Sequence, residues 1–474
     1  MSILSQVKDT DHPNGSVREL FIFSFPLILT CLSQSVMLFS NRFLLSRHSL
    51  HTLAVCAAAQ ALCILFQLPC IRIASIGQVF VGQHSGAGRF SMIGPAIWQV
   101  IWFSILSMLI VIPLGYGLQS FFFANSPVPD GIPYFKLLLW ANFLFPLSYA
   151  LISFYLGIGQ SKMVIYSQLL THGIHILLDY CLIFGIQGLF PPFGFMGAAY
   201  ATIFAQLFNC AILLVFFLKS ANKEKYATHD YRFKKEPFFE TLRIGLPKAL
   251  ARFCVLAVWT CNMHLMMKRG ESHLAIVAFG STLVGTFIFI TEGMSQGLIT
   301  IASRLIGAQR WVEVWKLYRS AFLFSMGTIS LLSIPLIFYS DITISLFFKS
   351  SQTAVSRTLL VKTCQCIWIL FIGNAINFIG TSFLTASKDT AFHMLANLLS
   401  WVVCFLPILI CIGHFNYSAD FFWIVYAIEP IAISCLLHLR LRQERWKKQS
   451  IVDSTSNETF SLHMKSILSK ILSI

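Results

Sequence analysis

Charge is what this chain lacks most. Only 11% of its 474 residues are charged, against 56% hydrophobic. A soluble domain carries about 25% charged residues, so this composition cannot clothe a water-facing surface. Acid is scarcer than base, with 19 Asp and Glu against 34 Lys and Arg, and each acid inside an apolar run is therefore informative. Also missing are a CxxC pair, a nucleotide-binding glycine loop, a nucleophile motif and a His/Cys/Asp cluster at metal spacing. An enzyme, a resident cofactor and a metal site have nothing to rest on. Most of the thirteen Cys lie inside apolar runs and read as small buried hydrophobes, not as a disulfide framework. The net charge of +15 does not indicate a nucleic-acid partner, because the basic residues gather between apolar runs and at the C-terminus. The first sixteen residues or so are polar and show no signal-peptide pattern, so the first apolar run reads as a retained helix.

What the chain does have is long apolar runs. Twelve are expected to span a bilayer, at 18–45, 50–80, 95–121, 133–158, 162–187, 194–218, 240–267, 273–302, 314–347, 358–385, 390–413 and 421–440. A spanning segment must satisfy its own backbone hydrogen bonds, and these runs are too continuous for barrel strands, so all are expected to be helices. Basic residues fall in alternate loops: Arg89, Lys162, the cluster from Lys219 to Lys235, Arg304 with Arg310, Lys388, and the end of the chain. Segments 122–131 and 186–193 have none. Lys268 and Arg269 are a mild exception. This bias places both termini and the even loops in the cytoplasm, in a multi-pass protein of the plasma (inner) membrane of bacterial type.

The chain also repeats itself. Ser24-Phe25-Pro26 and Gly245-Leu246-Pro247 lie 221 residues apart, as do Gly86-Ala87-Gly88-Arg89 and Gly307-Ala308-Gln309-Arg310. A third echo sets the six residues from Leu156 against those from Leu384 at a shift of 228, which matches Asp179 to Pro407. Two helical-bundle copies in a membrane chain point to a transporter with its site at their interface or inside them. Six spans per half make the repeats parallel. The expected fold is thus an all-α polytopic membrane protein of 12 transmembrane helices in two parallel-repeat six-helix lobes. The organisation is a cytoplasmic N-terminal segment 1–17, an N-lobe 18–218, a cytoplasmic linker 219–239, a C-lobe 240–440 and a basic tail 441–474. Within that tail Phe460, Leu462, Ile467, Leu468, Ile471 and Leu472 fit one side of an interfacial helix, with a disordered tail an equal reading. No assembly motif is visible, and a monomer is expected.

Several motifs, in order, resemble one family. They are Val81-Gly82-Gln83-His84-Ser85-Gly86-Ala87-Gly88-Arg89, Leu178-Asp179-Tyr180-Cys181-Leu182-Ile183-Phe184-Gly185, Gly197-Ala198-Ala199-Tyr200-Ala201-Thr202 and Arg243-Ile244-Gly245-Leu246-Pro247. With the duplication, they make residues 17–440 similar to the multidrug and toxic compound extrusion (MATE) family of secondary transporters. The resemblance implies two six-helix lobes around a central cleft and export of small organic, cationic or amphipathic compounds, xenobiotics among them. Export is by alternating access in exchange for H⁺, in preference to Na⁺. Two other readings are a flippase of a lipid-linked intermediate on a related fold, whose anionic headgroup Arg42, Arg72 and Arg252 would suit, and a transport-inactive relative.

Ionisable residues at membrane depth are costly and count as functional candidates; the competing reading is a helix-packing hydrogen bond. Asp179, His175 and His172 share one helix face, and Asp179 matches a position the family uses in an N-lobe cation network. His175 stands where the family often has Asn. Gln34 and Asn41 form one polar stripe, and Thr202, Gln206 and Asn209 another. Asn41, Val255 and Asn374 replace acids that the family has at those points. Asp179, His175, Asn41 and Glu292 are the candidates for cation or proton coupling; Gln34, Arg72, Thr202, Gln206 and Asn374 are candidates for the substrate cleft or lobe network. Arg72 lies 14 residues before Gly86 and Glu292 lies 15 before Gly307, so both sit about 21–22 Å from matched landmarks. They are expected to meet across the cleft in one conformation and part in another, or else to be neutralised each within its own lobe. Lys248 and Arg252, four apart near the start of the seventh span, read as neutralising partners or as lining a cytoplasmic vestibule, with snorkelling the simpler account of Lys248; Glu429 is a candidate partner for either.

Overall fold

The computed structural model describes residues 14–123, 130–188, 190–347, 357–444 and 447. Nearly all of segment 1–17 and of the basic tail, including the amphipathic stretch 460–472, lies outside the described residues. The described chain is all-helical; its only β pairing is a single bridge between Ile186 and Phe190. In the first half the helices are α1 (Val17–His48), α2 (Leu50–Ala74), α3 (Gly77–Gly86), α4 (Ile93–Leu106), α5 (Met108–Phe123), α6 (Gly131–Trp140), α7 (Leu144–Gly157), α8 (Ser161–Phe184) and α9 (Phe195–Phe217). The short α10 (Ser220–Tyr226) leads to α11 (Lys235–Arg269), α12 (Glu271–Gly307), α13 (Trp311–Ser333), α14 (Ser340–Phe347), α15 (Arg357–Ala386), α16 (Thr390–Ser400), α17 (Leu406–Ile408) and α18 (Asp420–Arg442).

Nine helical stretches among the described residues are long and apolar enough to cross a membrane, and up to eleven if two bent pairs count as single spans. The expected count of twelve differs because α8 is not apolar enough. Its 24 residues span about 36 Å, but they carry His172, His175 and Asp179. Several expected boundaries also shift. The run 133–158 breaks between α6 and α7 with a 40° bend, because Pro146 has no N–H for the carbonyl of Asn142 and its ring crowds it. The run 50–80 continues through a turn at Ser75–Ile76 into α3, and 314–347 ends in wide π turns at Ile334–Phe338 before α14.

Four turns share one hydrogen-bond pattern. Arg89 N donates to His84 O, Arg310 N to Leu305 O, Gln160 N to Tyr155 O and Asp389 N to Leu384 O, at 2.8–3.0 Å. Each turn holds one left-handed residue: Gly88, Gln309, Gly159 and Lys388. This is a common way of closing a helix C-terminus. The first pair keeps the shift of 221, but the second fixes its register at 229 rather than 228. A left-handed turn residue anchors register more firmly than weak identity does. Asp179 is therefore matched to Ile408, not Pro407.

The halves exchange arms. Leu20, at the start of α1, packs in a core with Leu298, Ile301 and Leu305 of α12, while Leu45, near its end, packs with Cys56, Phe66 and Phe135. Reciprocally, Phe238 and Ala249 of α11 join that first-half core. Segment 219–239 is docked along α4. Trp98 and Trp102 donate to the carbonyls of Thr228 and Tyr231, and Gln99 bonds both Arg232 O and Lys234 N, at 2.8–2.9 Å. All thirteen Cys are free thiols. Six are buried, and Cys435 is exposed, contrary to the buried reading.

The loops bearing the matched glycines meet. A Cβ on Gly86 would collide with the carbonyl of Arg304, one on Gly307 with that of Gln83, and one on Gly82 with Ser303 Cβ at 2.7 Å. At a shift of 221 these pairs map onto one another, so α3 and α12 cross on a pseudo-two-fold axis near Gly82 and Ser303. Glu19 and Arg304 pair at 2.5 Å, and Lys388 and Glu240 at 2.6 Å. The two halves are thus sealed on the side of these loops.

Candidate functional site

Among the described residues, two cavities hold most of the candidate residues. The larger, about 310 Å³, is lined by α1, α2, α7, α8 and α9. Its wall carries no Lys, Arg, Asp or Glu but many amides: Gln34, Asn41, Gln60, Gln67, Gln168 and Gln206. His172, His175 and Thr202 also line it. The polar stripes Gln34–Asn41 and Thr202–Gln206 thus line one first-half cavity. Asn209 instead turns away and donates to Ser148 Oγ at 2.6 Å.

Asp179 stands behind this wall, 0% exposed. Asn41 Nδ2 donates to its Oδ2 at 2.9 Å, while Oδ1 has no hydrogen-bond partner. His175 Nδ1 lies 3.5 Å from the same Oδ2, close but not aligned as a hydrogen bond. On its other side Nε2 lies 3.1 Å from Thr202 Oγ1. That hydroxyl spends its single proton on Ala198 O at 2.9 Å, so His175 Nε2 must be the donor. In neutral His175 the Nδ1 lone pair then faces a carboxylate oxygen, an arrangement that one added proton would relieve. His172 Nδ1 pairs with Ser33 Oγ at 2.9 Å.

The second cavity, about 150 Å³, is lined by α11, α12, α15, α16 and α18 of the second half, with Arg72 of α2 reaching it from the first. Arg72 of α2 and Glu292 of α12 meet at its edge, with Nη1 donating to Oε1 at 3.0 Å, their side chains 22% and 30% exposed. Lys248, Arg252, Asn374, Asn377, His393 and Glu429 also line it, Lys248, Arg252 and Glu429 being its other charges. Lys248 Nζ donates to Ser75 Oγ at 2.9 Å. Gln296 lines both cavities, and Ser75, the partner of Lys248, lines the larger one. The coupling candidates are therefore not one cluster: Asp179, His175 and Asn41 converge in the first half, whereas Glu292 sits with Arg72 and Asn374 across the interface.

Sequence reasoning passed over Asn262, the residue 221 beyond Asn41. It is 0% exposed and donates to Tyr426 Oη at 3.2 Å. The repeat shift alone would have found it. Its partner is a phenol because no acid stands at Ile408.

Comparison with known proteins fits this architecture. The MatE family model matches residues 26–181 and 247–410, one block in each half. A probable multidrug resistance protein, YoeA of Bacillus subtilis, is 23% identical over 447 residues, covering 92% of this chain and 95% of its own. NorM of Pasteurella multocida, also a probable multidrug resistance protein, is 24% identical over 400 residues, covering 78% and 82%. A solved structure of MATE in the straight conformation superposes with a TM-score of 0.80 at 14% identity, covering 94% of this chain and all of that one. The duplicated helical fold and the two matched blocks lead to one conclusion: the chain belongs to the MatE family of membrane transporters.

Proposed function

We propose that this protein is a secondary antiporter that exports small organic compounds, cationic or amphipathic, in exchange for protons by alternating access. The observation that carries this reading is the buried Asp179 carboxylate, with one oxygen unbonded and the other facing an imidazole lone pair beside a neutral, amide-lined cavity. Binding a proton there removes an uncompensated charge from a low-dielectric site. It also lets the Asn41–Asp179–His175–Thr202 chain close. Transport follows if the protonated and unprotonated forms favour different arrangements of the halves, since an ion shifts an equilibrium only by its unequal affinity for the two states. Sodium is the less favoured ion. A hard cation needs several converging oxygens, and here one carboxylate is flanked by an amide N–H and an imidazole.

In this reading the larger cavity takes the substrate body, with Gln34, Thr202 and Gln206 on its wall and Arg72 and Asn374 at the interface. The matched-glycine loops lie on the cytoplasmic side together with both termini. The halves correspond to lobes 18–218 and 240–440, joined by 219–239, and the protein acts as a monomer in the plasma membrane. The test is efflux of an amphipathic fluorescent amine from proteoliposomes after a pH jump or a Na⁺ jump. A pH-driven signal that vanishes in Asp179→Asn supports the reading. Equal pH-driven efflux in that variant sinks it.

A further inference from the structure

We infer that the second cavity is an anion-binding subsite, which takes an acidic group, carboxylate or phosphate, on Lys248 and Arg252. The inference rests on the transporter reading and narrows its substrate class toward amphipathic molecules that carry an acid.

The charges in this cavity do not balance. Its lining holds three cations, Arg72, Lys248 and Arg252, against two acids, Glu292 and Glu429. Arg72 and Glu292 are engaged with each other. Lys248 reaches only a neutral hydroxyl, on Ser75. Arg252 lines the cavity with no hydrogen bond or ion pair among the described residues; it and Lys248 feel Glu292 only at longer range, and that carboxylate is already held by Arg72. Glu429 is 8% exposed and forms no ion pair with either cation. Lys248 and Arg252 are four residues apart on α11, so their heads share one helix face.

Unpaired cations at membrane depth are expensive unless something neutralises them. An anion seated between them would be attracted to both. The Asn374 and Asn377 amides add neutral hydrogen-bonding groups. A volume of about 150 Å³ holds about five waters at ~30 Å³ each, room for an acidic head group though not for a drug-sized body. The adjoining larger cavity, which shares Gln296 with it, would take the remainder.

The acidic group has two sources, a dissolved small molecule or an anionic phospholipid. Equilibrium dialysis of 2-naphthoate and its neutral isostere 2-naphthamide, against the full-length protein in phosphatidylcholine nanodiscs, tests the subsite. Naphthoate should bind about tenfold tighter than naphthamide. That preference should fall to unity in Lys248→Gln/Arg252→Gln and survive in Lys248→Arg/Arg252→Lys. If the double variant does not assemble, Arg252→Gln alone should cut the ratio at least threefold. A ratio of one in the parent protein overturns the inference, as does a ratio unchanged by these substitutions. Adding one-third phosphatidylglycerol then distinguishes the sources. Loss of the naphthoate preference assigns the subsite to a lipid head group, and its persistence assigns it to a solute. Naphthoate preference without pH-driven amine efflux would sink the antiport reading and leave the subsite standing; efflux without that preference would do the reverse.

Discussion

The two halves share a fold and differ in chemistry. In the first, Asn41 donates to a buried acid, Asp179. In the second, its repeat partner Asn262 donates to Tyr426, because Ile408 stands where the acid would be. The cavity of the first half has no charged side chain on its wall, whereas the cavity at the α11 side holds five. Duplication thus preserved the scaffold, its glycine crossing and its four left-handed turns, while the buried charge moved. In the first half a lone acid, Asp179, stands behind an uncharged wall; in the second, charged side chains line the cavity itself.

The largest expected effect is on Asp179. Asp179→Asn should reduce pH-driven efflux to background, while Asn262→Ala should leave efflux per folded molecule near normal; equal losses would erase the asymmetry between halves. Next is the bridge between them. Arg72→Gln leaves Glu292 without its partner and should cost on the order of 2–3 kcal/mol, somewhat below a fully buried pair since both side chains border the cavity. Thermal unfolding in detergent measures this, and Glu292→Gln in the same chain should recover most of it. The glycine crossing should respond symmetrically. Gly86→Leu and Gly307→Leu each force a side chain against the opposing backbone and should cost about 1–3 kcal/mol. Both should also expose the loop side of the interface, read as faster maleimide labelling of a cysteine placed at Ser303. A large effect from only one would break the pseudo-two-fold description. The smallest separable effect is packing alone. Ser148→Ala removes the acceptor for Asn209 and should cost about 0.6 kcal/mol, with no change in the pH dependence of efflux.

Some of the site was legible from residue numbers alone. Asp179, His175 and His172 had to share a face, because spacings of three and four do so on any α-helix. Likewise, the positions of Arg72 and Glu292 relative to matched glycines placed them at one depth, and the structure joins them at 3.0 Å. Asn209 follows the helix-packing reading, and a stripe on one helix could not say so, since it does not show which neighbour each residue faces. Lys248 and Arg252 read as neutralising partners or vestibule lining, since sequence cannot show that Lys248 bonds a hydroxyl and that Arg252 forms no ion pair among the described residues.

The sequence by itself determined that this is a helical, duplicated membrane protein. Composition, run length and a fixed shift are one-dimensional properties that the bilayer's demand for satisfied backbone groups converts into helices. Tertiary structure alone decided the rest. It set the repeat register at 229 through a left-handed residue in the turn after α15, moved Asp179's counterpart to Ile408, and exchanged the ends of α1 and α11 between the halves. It also set Asp179 apart from the charges that line the second cavity. Each of these depends on which surfaces pack in three dimensions, and helical periodicity carries no record of that.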